Sequence, residues 1–252
     1  MNDVSGYFME PQNFSVNDGN GIRTVIFFAG CPLRCQWCSN PESYTELNEK
    51  NNFINNYNSE QILKIIEKQK IFYRFSGGGV TFSGGEATVQ TNILRELVYK
   101  LYDQAIDLAI ETSGYFNFDD VKDILEKLNL IFVDIKHMDD NKHRFYTGIS
   151  NEHILKNISR LNKLKVPVVV RIPVIGGVNS DIDNIRKTAR FVKNNIDVPK
   201  LELLPYHSFG DSKYEALGLE KPSGLFGTPS PDYLRELNKI VRNEGVEVVS
   251  YK

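Results

Sequence analysis

All three cysteines of the chain lie in one short stretch, with the spacing Cys-x3-Cys-x2-Cys. Cys31, Cys35 and Cys38 span so few residues that their thiolates can reach one metal centre without help from distant chain. One alternative is a zinc site completed by a histidine, because zinc readily takes three cysteines and one histidine. The other is a [4Fe-4S] cluster. Such clusters normally use four cysteines, and a chain with only three leaves one iron open for a ligand. The spacing favours the cluster over the usual zinc patterns.

A glycine-rich stretch, Ser76–Glu86, is the second feature with chemical meaning. It encloses a short predicted strand, Val80–Phe82, and precedes a predicted helix, Asn92–Tyr102. Glycine lets the backbone approach a ligand closely and adopt positive φ. Glycines alone also suit two flexible turns, but the position between a strand and a helix favours backbone groups presented to a ligand.

The elements that must position these groups alternate between strand and helix. Continuous Val/Ile/Leu runs predict strands buried on both faces, as in parallel sheets, and the first of them leads directly into the cysteines. The predicted strands are Ile22–Phe28, Val80–Phe82, Asp107–Glu111, Leu130–Asp134, Val166–Val174, Lys200–Leu204 and Val246–Tyr251. The predicted helices are Ser59–Lys68 with Ser59 as N-cap, Asn92–Tyr102, Asp119–Leu128, Asn151–Leu164, Asp181–Asn194 and Pro231–Arg242. Glu46–Tyr57 is predicted to be a surface loop, and His207–Pro231 a long segment without regular structure. This rhythm favours an α/β barrel, open or closed, with a doubly wound sheet as the alternative.

The cysteine motif, with Trp37 before its last cysteine, resembles that of the radical S-adenosylmethionine (SAM) enzymes. Four further segments match the glycyl-radical-enzyme activating enzymes, including those of the pyruvate formate-lyase type. They are Asp18–Arg23, Ser83–Ala87, Asp134–Lys136 and Leu203–His207, so the resemblance runs from about Phe14 to about His207. It implies a partial (β/α)6 TIM-like barrel of the radical SAM type. We expect a single radical SAM domain over residues 1–252, with a core at about 14–207 and a C-terminal extension at 208–252.

The resemblance also implies the reaction. A [4Fe-4S] cluster on Cys31, Cys35 and Cys38 would bind the amino and carboxylate groups of SAM at its open iron. One electron from an external donor, such as flavodoxin or ferredoxin, would cleave SAM to methionine and a 5′-deoxyadenosyl radical. That radical would take a hydrogen from a glycine of a partner enzyme. The cofactor supplies the chemistry and the protein supplies position and water exclusion, so no catalytic side chain is expected.

Charged residues at or near predicted strand ends complete the expected SAM site, because these ends converge on one face of a barrel. Lys136 and Arg171 are predicted to meet the carboxylate of SAM, and Asp134 and His207 its ribose. Taken singly, each is better explained as a solvated loop charge. The resemblance adds to the cofactor-binding set Trp37 near the adenine, Gly85 near the amino group, and Cys38, Ser39 and Ile135. It also places a monovalent cation on Glu111 and Asp134, although the family has Asp at the first position.

Asp18, followed by Gly19 and Gly21, is the predicted contact for the partner protein, since a carboxylate on a glycine-rich loop can reach a peptide arginine or backbone amides. A turn-forming Asp-Gly is the simpler alternative. Two departures from the family concern the partner. Asn20 stands where the pyruvate formate-lyase type has Pro, and Cys38–Ser43 is more similar to activators of other glycyl radical enzymes. Many of those carry a cysteine-rich insert, and this chain has no further cysteine.

Composition excludes several other classes of function. The chain has 252 residues and a formal net charge of −2, without a basic run that would indicate nucleic acid. It lacks an apolar run long enough to span a membrane, and its polar N-terminus lacks the features of a secretory signal. Clustered cysteines in odd number favour a reducing compartment, so we expect a cytoplasmic protein. His137, His143 and His153 form no tight ligand pattern and are predicted to be surface residues.

Two other functions remain open at the level of sequence. One is a radical SAM enzyme that acts on a small molecule or a peptide. The other is a non-catalytic metal-binding module, in which the three cysteines are purely structural.

Overall fold

The computed structural model describes residues 4–44, 52–222 and 224–251. Seven parallel strands form a continuous sheet, in the order β3-β5-β6-β7-β8-β9-β10, and three antiparallel strands extend it beyond β3. The strands are β1 Ser5–Phe8, β2 Gln12–Ser15, β3 Arg23–Phe28, β4 Asn55–Asn58, β5 Gly79–Gly84, β6 Asp107–Thr112, β7 Leu130–Asp134, β8 Val168–Val174, β9 Lys200–Pro205 and β10 Glu247–Val248.

Helices follow most of the parallel strands. They are α1 Ser59–Glu67, α2 Lys70–Ser76, α3 Thr91–Tyr102, α4 Phe118–Leu125, α5 Asp140–Thr147, α6 Glu152–Leu161, α7 Ile182–Asn195, α8 Asp211–Ala216 and α9 Pro231–Asn243. Short 3-10 turns occupy Pro41–Tyr44, Ala87–Gln90 and Asn162–Leu164. Strand–helix alternation of this kind brings the carboxyl ends of the strands to one edge. The result is the partial (β/α)6 barrel expected from the sequence.

The two faces of the sheet have different chemistry. Alternate strand residues such as Phe82, Ile110 and Ile131 pack outward against Leu94 of α3 and Ile124 of α4, forming the main core. The residues between them face the barrel interior. Towards the amino ends of β6, β7 and β8 some of these interior residues are apolar, with Phe132 and Val169 packed against Tyr251. Nearer the carboxyl ends of the strands, the interior residues are charged or carry hydroxyl groups. The barrel interior therefore has a polar site above an apolar floor.

Local sequence explains where several helices begin. Asn58, and not the predicted Ser59, is the N-cap of α1, because its side chain accepts a hydrogen bond from Gln61 N while the Gln61 side chain accepts from Asn58 N. Asp181 caps α7 by accepting from Asn184 N. Ser230 caps α9, with Pro231 at its first position, as the sequence indicated.

Three sequence predictions about regular structure are wrong in part. Glu46–Tyr57 was expected to be a loop, but Asn55–Asn58 is a strand that pairs with β1; residues 46–51 lie outside the described part of the chain. His207–Pro231 contains the helix α8, and the last strand covers only Glu247–Val248. β4 is rich in asparagine and has no run of apolar residues, so its sequence does not predict a strand. It forms because its backbone pairs with that of β1. No helix in the described ranges is long and apolar enough to cross a membrane.

Two histidine predictions are also wrong. His137 and His143 are buried, and only His153 is exposed. The ring of His143 bonds to Ile149 O, and Asn151 Nδ2 donates to His137 O. Burial lowers the pKa of both buried imidazoles. These residues order the segment after β7, which the sequence had suggested was solvent-exposed.

Candidate active site

The cysteine loop follows β3 at the mouth of the barrel. Its backbone is tied to α5, where Arg34 N donates to Thr147 O at 2.8 Å and Gln36 N to Tyr146 O at 3.0 Å. The hydroxyl of Tyr44 donates to Cys35 O at 2.7 Å. These bonds hold the loop so that Cys31, Cys35 and Cys38 all line one cavity of about 260 Å3, hereafter the thiol cavity.

The three cysteines form no disulfide; Cys35 is buried, and Cys31 and Cys38 are half-buried. Burial raises the pKa of Cys31 and of Cys35 to about 12, and it raises the pKa of Cys38 as well. Metal binding must therefore displace protons from these thiols. Within the described residues, no three His, Cys, Asp or Glu side chains converge on a point suited to a single metal ion. Three separate thiolates on one wall suit a cluster, which offers a different iron to each cysteine, better than they suit zinc.

The loop after β5 lies against the cysteine loop. A Cβ on Gly85 would lie 2.3 Å from Gly30 O, so only glycine permits this approach. Gly85 N donates to Phe28 O and Glu86 N to Gly30 O, both at 2.8 Å. Because these amides are already engaged, the groups this loop offers to a ligand are carbonyl oxygens, which suit an ammonium donor.

Glu86 is fully buried, and its carboxylate joins two loops of the cavity wall. It accepts hydrogen bonds from Thr88 Oγ1 at 2.8 Å, Thr112 Oγ1 at 2.9 Å, Ser113 N at 2.8 Å and Ser113 Oγ at 2.6 Å. Glu86 belongs to the Ser83–Ala87 motif but was not among the predicted site residues. The sequence feature that could have identified Glu86 is an acid directly after two glycines, together with hydroxyl-bearing residues at the end of the next strand.

Four of the predicted charged residues do meet at the thiol cavity, and they meet as ion pairs. Lys136 Nζ lies 2.7 Å from Asp134 Oδ2. Burial alone would lower the pKa of Lys136, but Asp134 and the nearby thiols raise it overall. Arg171 pairs with Glu111, whose Oε2 accepts from Ser83 Oγ at 2.6 Å. Burial raises the pKa of Glu111 to about 7, against the opposing charge of Arg171.

Arg171 is the centre of a larger network. Its Nε donates to Glu202 Oε2 at 2.8 Å and its Nη2 to Asn17 O at 3.0 Å, while its guanidinium lies 3.5 Å from the centroid of the Phe132 ring. Glu202 Oε1 in turn accepts from Tyr251 N at 2.9 Å. Glu202 was missed by sequence reasoning, since an acid within a strand has no distinguishing pattern. The network ties the Asn17–Asp18 loop and the chain terminus to the middle of the barrel.

A second cavity of about 760 Å3 opens beside the first and is hereafter the side cavity. Trp37, Ser39, Glu111 and Arg171 line both cavities, so the two are joined. The side cavity adds Asp18, His207 and Phe209. Asp18 is held by Ser15, whose hydroxyl donates to its carboxylate, and by Thr81 Oγ1, which donates to Asp18 O at 2.7 Å.

Most predicted site residues are thus brought together. Trp37 is buried against Tyr146 and Phe226, at ring-centroid distances of 5.8 and 5.9 Å. Ile135 is the exception: its side chain belongs to the outer core and lines neither cavity. Its assignment to the cofactor stays a prediction that rests on its backbone.

The two residues predicted to hold a monovalent cation are engaged in ion pairs, and the cation itself stays a prediction. Asp134 and Glu111 each face a cationic side chain, Lys136 and Arg171 respectively. A monovalent ion between the two carboxylates would have to displace one of these partners. The longer Glu111, noted from the sequence, reaches Arg171.

Comparison with known proteins agrees with this geometry. Residues 25–192 match the model of the radical SAM superfamily. The chain is 36% identical over 217 residues to the pyruvate formate-lyase-activating enzyme of Clostridium pasteurianum, covering 86% of this chain and 89% of the relative. It is 34% identical to the (2S)-3-sulfopropanediol dehydratase activating enzyme of Klebsiella oxytoca, covering 85% and 86%. That second alignment runs over 272 positions, so this relative carries segments that the present chain lacks.

Solved structures agree on the fold. A domain of the pyruvate-formate lyase-activating enzyme from Bacteroides vulgatus matches with a TM-score of 0.58 at 30% identity, covering 68% of this chain and 98% of that one. A radical SAM methyltransferase from Sphaerobacter thermophilus matches with a TM-score of 0.66 at 15% identity, covering 96% and 76%. The cofactors of the family are a [4Fe-4S] cluster and SAM, and the three thiols above one cavity fit that cluster. With the fold, the thiols and the relatives in agreement, the chain belongs to the radical SAM superfamily, among the activating enzymes of glycyl radical enzymes.

Proposed function

We propose that this chain activates a glycyl radical enzyme by admitting that enzyme's glycine-bearing segment through the side cavity. The observation that carries the proposal is the joining of the two cavities through the shared wall of Trp37, Glu111 and Arg171. When bound, the cluster and SAM supply a one-electron cleavage whose product takes hydrogen from glycine. The protein must therefore bring the two reactants to the junction and keep water out.

The walls of the thiol cavity support specific contacts with SAM. Lys136, half-buried beside Asp134, is placed to meet the carboxylate, and the carbonyls of the Gly84–Gly85 loop to accept from the amino group. Arg171 uses three of its five N–H groups in the network described above, and the remaining two can also meet the carboxylate. Asp134 and His207 are assigned to the ribose, and Trp37 with Ser39 to the adenine.

The side cavity supports the contact with the partner. Asp18 lies on its wall, half-buried and fixed by Ser15 and Thr81. A carboxylate held in this way can accept charge-assisted hydrogen bonds from a peptide arginine or from backbone amides. A segment that enters here reaches the thiol cavity past Trp37 and Arg171 without crossing the barrel wall.

An external one-electron donor remains part of the proposal. The cysteine loop is closest to solvent at Arg34, Gln36 and Ser39, which are exposed. A flavodoxin or ferredoxin docked there would be near all three thiols. We also retain from the sequence analysis a single domain over 1–252, a cytoplasmic location, and no partnership with nucleic acid or membranes.

The identity of the partner is best tested with a panel. Anaerobically reconstituted protein, expected to hold about four irons and four sulfides per chain, would be mixed with SAM, a reductant and one purified glycyl radical enzyme at a time. The panel would include pyruvate formate-lyase, 4-hydroxyphenylacetate decarboxylase and (2S)-3-sulfopropanediol dehydratase, after the names of the relatives. Pyruvate formate-lyase is our first candidate, because its activator aligns over 217 residues while covering 86% of this chain, without the extra segments.

The expected result is a glycyl radical signal by electron paramagnetic resonance in one panel member, together with 5′-deoxyadenosine. Cys35→Ala serves as the control and should give neither. Zinc without sulfide in active protein would contradict the proposal. Cleavage of SAM with no radical on any panel member would direct the search to a small-molecule or peptide substrate instead.

A further inference from the structure

The helix α2 exposes its apolar side chains, which a helix usually buries against the core. In its sequence Lys70–Ser76, only Tyr73 is buried, and its hydroxyl donates to Thr24 Oγ1. Ile71, Phe72 and Phe75 face solvent, with Phe75 82% exposed. Isolated exposed apolar residues are ordinary, but a contiguous group of them indicates an interaction surface.

The strand β2 and the residue that follows it add Phe14 and Val16 to this surface. Phe14 and Val16 are each 55% exposed, and the Phe14 ring lies 4.8 Å from that of Phe72, in an edge-on arrangement. Phe14 has φ 61°, and the pairing of β2 with β3 shifts register between Gln12 and Ser15. The left-handed region is unfavourable for a non-glycine residue. A bulge of this kind re-aims a side chain, and here it directs Phe14 onto α2. Together Phe14, Val16, Ile71, Phe72 and Phe75 form what we call the aromatic patch.

The aromatic patch and the Asp18 loop form one continuous unit. Phe14 and Val16 flank Ser15, which points inward, lines the side cavity and donates to Asp18. The end of α2 is bound to the same loop, because Ile22 N donates to Ser76 Oγ at 2.9 Å. The patch therefore begins on the outer side of the wall whose inner side carries Asp18.

We propose that the aromatic patch is the docking surface for the folded body of the glycyl radical enzyme, outside the segment that enters the side cavity. The inference rests on the proposed function. A stable protein–protein interface buries roughly 800 Å2 on each partner, which is more than one extended segment provides. A partner seated over the side cavity must therefore cover the surface beside it. Aromatic side chains are the usual anchors of such interfaces.

Two other proteins that could bind the aromatic patch fit it less well. An electron donor must approach the exposed edge of the cysteine loop, Arg34 and Gln36, which is bound to α5 and not to α2. A second copy of this chain seated on the patch would lie against the outer side of the Asp18 wall, where the partner must come. Each alternative predicts a different result below.

The first test uses the double variant Phe72→Ser/Phe75→Ser and the panel member that gives the strongest radical signal with the parent protein. We expect its KM for the partner to rise about tenfold, while formation of 5′-deoxyadenosine without partner stays within about twofold, since neither residue lines the thiol cavity or the side cavity. The matched control is Tyr102→Ser on the exposed side of α3, which should change neither value. An unchanged KM in the double variant would overturn the inference.

A second test makes contact visible. A photo-crosslinking phenylalanine analogue at position 75 should link to the purified partner, and the same analogue at position 102 should not. Linking to the electron donor, or a parent dimer that the double variant dissociates while its KM is unchanged, would also overturn the inference. If the parent protein activates no panel member, the proposed function has failed; if it does and the variant behaves identically, only the docking surface has.

Discussion

At the scale of single residues, we expect Asp18 to matter more for activation of the partner than for cleavage of SAM, because Asp18 lines the side cavity but not the thiol cavity. We expect Asp18→Ala to reduce activation of the partner at least tenfold more than it reduces SAM cleavage without partner. The physical reason is the loss of a charge-assisted contact to the incoming peptide. Both activities would be measured on one preparation, with Asp18→Asn to test the charge. An equal loss in both would mean that Asp18 only supports the fold.

At the same scale, we expect Glu86 to support the binding of SAM through the loops that it joins. Its carboxylate accepts from Thr88, Thr112 and Ser113, and an amide at this position would place an NH2 group opposite one of those donors. We expect Glu86→Gln to lower the free energy of unfolding by roughly 2 kcal/mol or more and to weaken SAM binding, with the cysteines still able to hold the cluster. Urea unfolding and calorimetric titration with SAM measure the two effects. Glu126→Gln, an exposed partner of Lys122, is the control and should stay within about 0.5 kcal/mol. Unchanged SAM affinity would show that the two loops do not need this tie.

At the scale of elements, α8 holds the end of the cysteine loop. Lys213 Nζ lies 2.6 Å from Glu42 Oε1 and donates to Asn40 Oδ1 at 2.7 Å. Glu42 is buried, and its other oxygen has no partner among the described residues. Removing Lys213 would leave a buried carboxylate uncompensated, which is strongly unfavourable.

We therefore expect Lys213→Ala to lower the iron content after reconstitution and to speed loss of the cluster in air severalfold. Iron and sulfide assays against time measure this. Lys221→Ala, which breaks the surface pair with Glu215, should behave like the parent protein. Equal cluster lifetimes in all three proteins would exclude a role for α8 in holding the loop.

At the scale of the whole molecule, the loop before β3 and the segment after β10 meet in the barrel interior. The backbone of Asn17 and that of Tyr251 bind the same ion network, through Arg171 and Glu202. The Tyr251 ring lies edge-on to Phe132, with 4.9 Å between centroids, and closes the apolar floor. We expect Tyr251→Ala to cost about 1–2 kcal/mol of unfolding free energy, less than a fully buried aromatic, because Tyr251 is half-buried. Urea unfolding of Tyr251→Ala, with the exposed Tyr102→Ala as control, measures this loss. If Tyr251→Ala were as stable as the parent protein, the segment at Tyr251 would contribute nothing to the stability of the fold.

The chemistry and the order of elements could be predicted because both depend on residues close in sequence. Cys31, Cys35 and Cys38 share one loop, and apolar runs such as Val168–Val174 indicate buried strands on their own. The strands β1, β2 and β4 were not predicted, since their stability comes from pairing with distant strands and not from a local pattern. The helix α5 was missed for a related reason: it is largely polar, and His143 is buried only because of what packs on it.

By itself, the sequence determined the metal-binding motif, the parallel α/β rhythm and the family. The tertiary structure alone decided how the charges pair. Asn17 and Arg171 are 154 positions apart, and Arg171 and Glu202 are on neighbouring strands whose register sets them side by side. Whether an acid in a strand is a ligand, an ion-pair partner or a surface charge depends on the side chains that folding brings within a few ångströms of it. The exposed aromatic face of α2 was likewise invisible in the sequence, because helical spacing reveals an apolar face but not which way that face points.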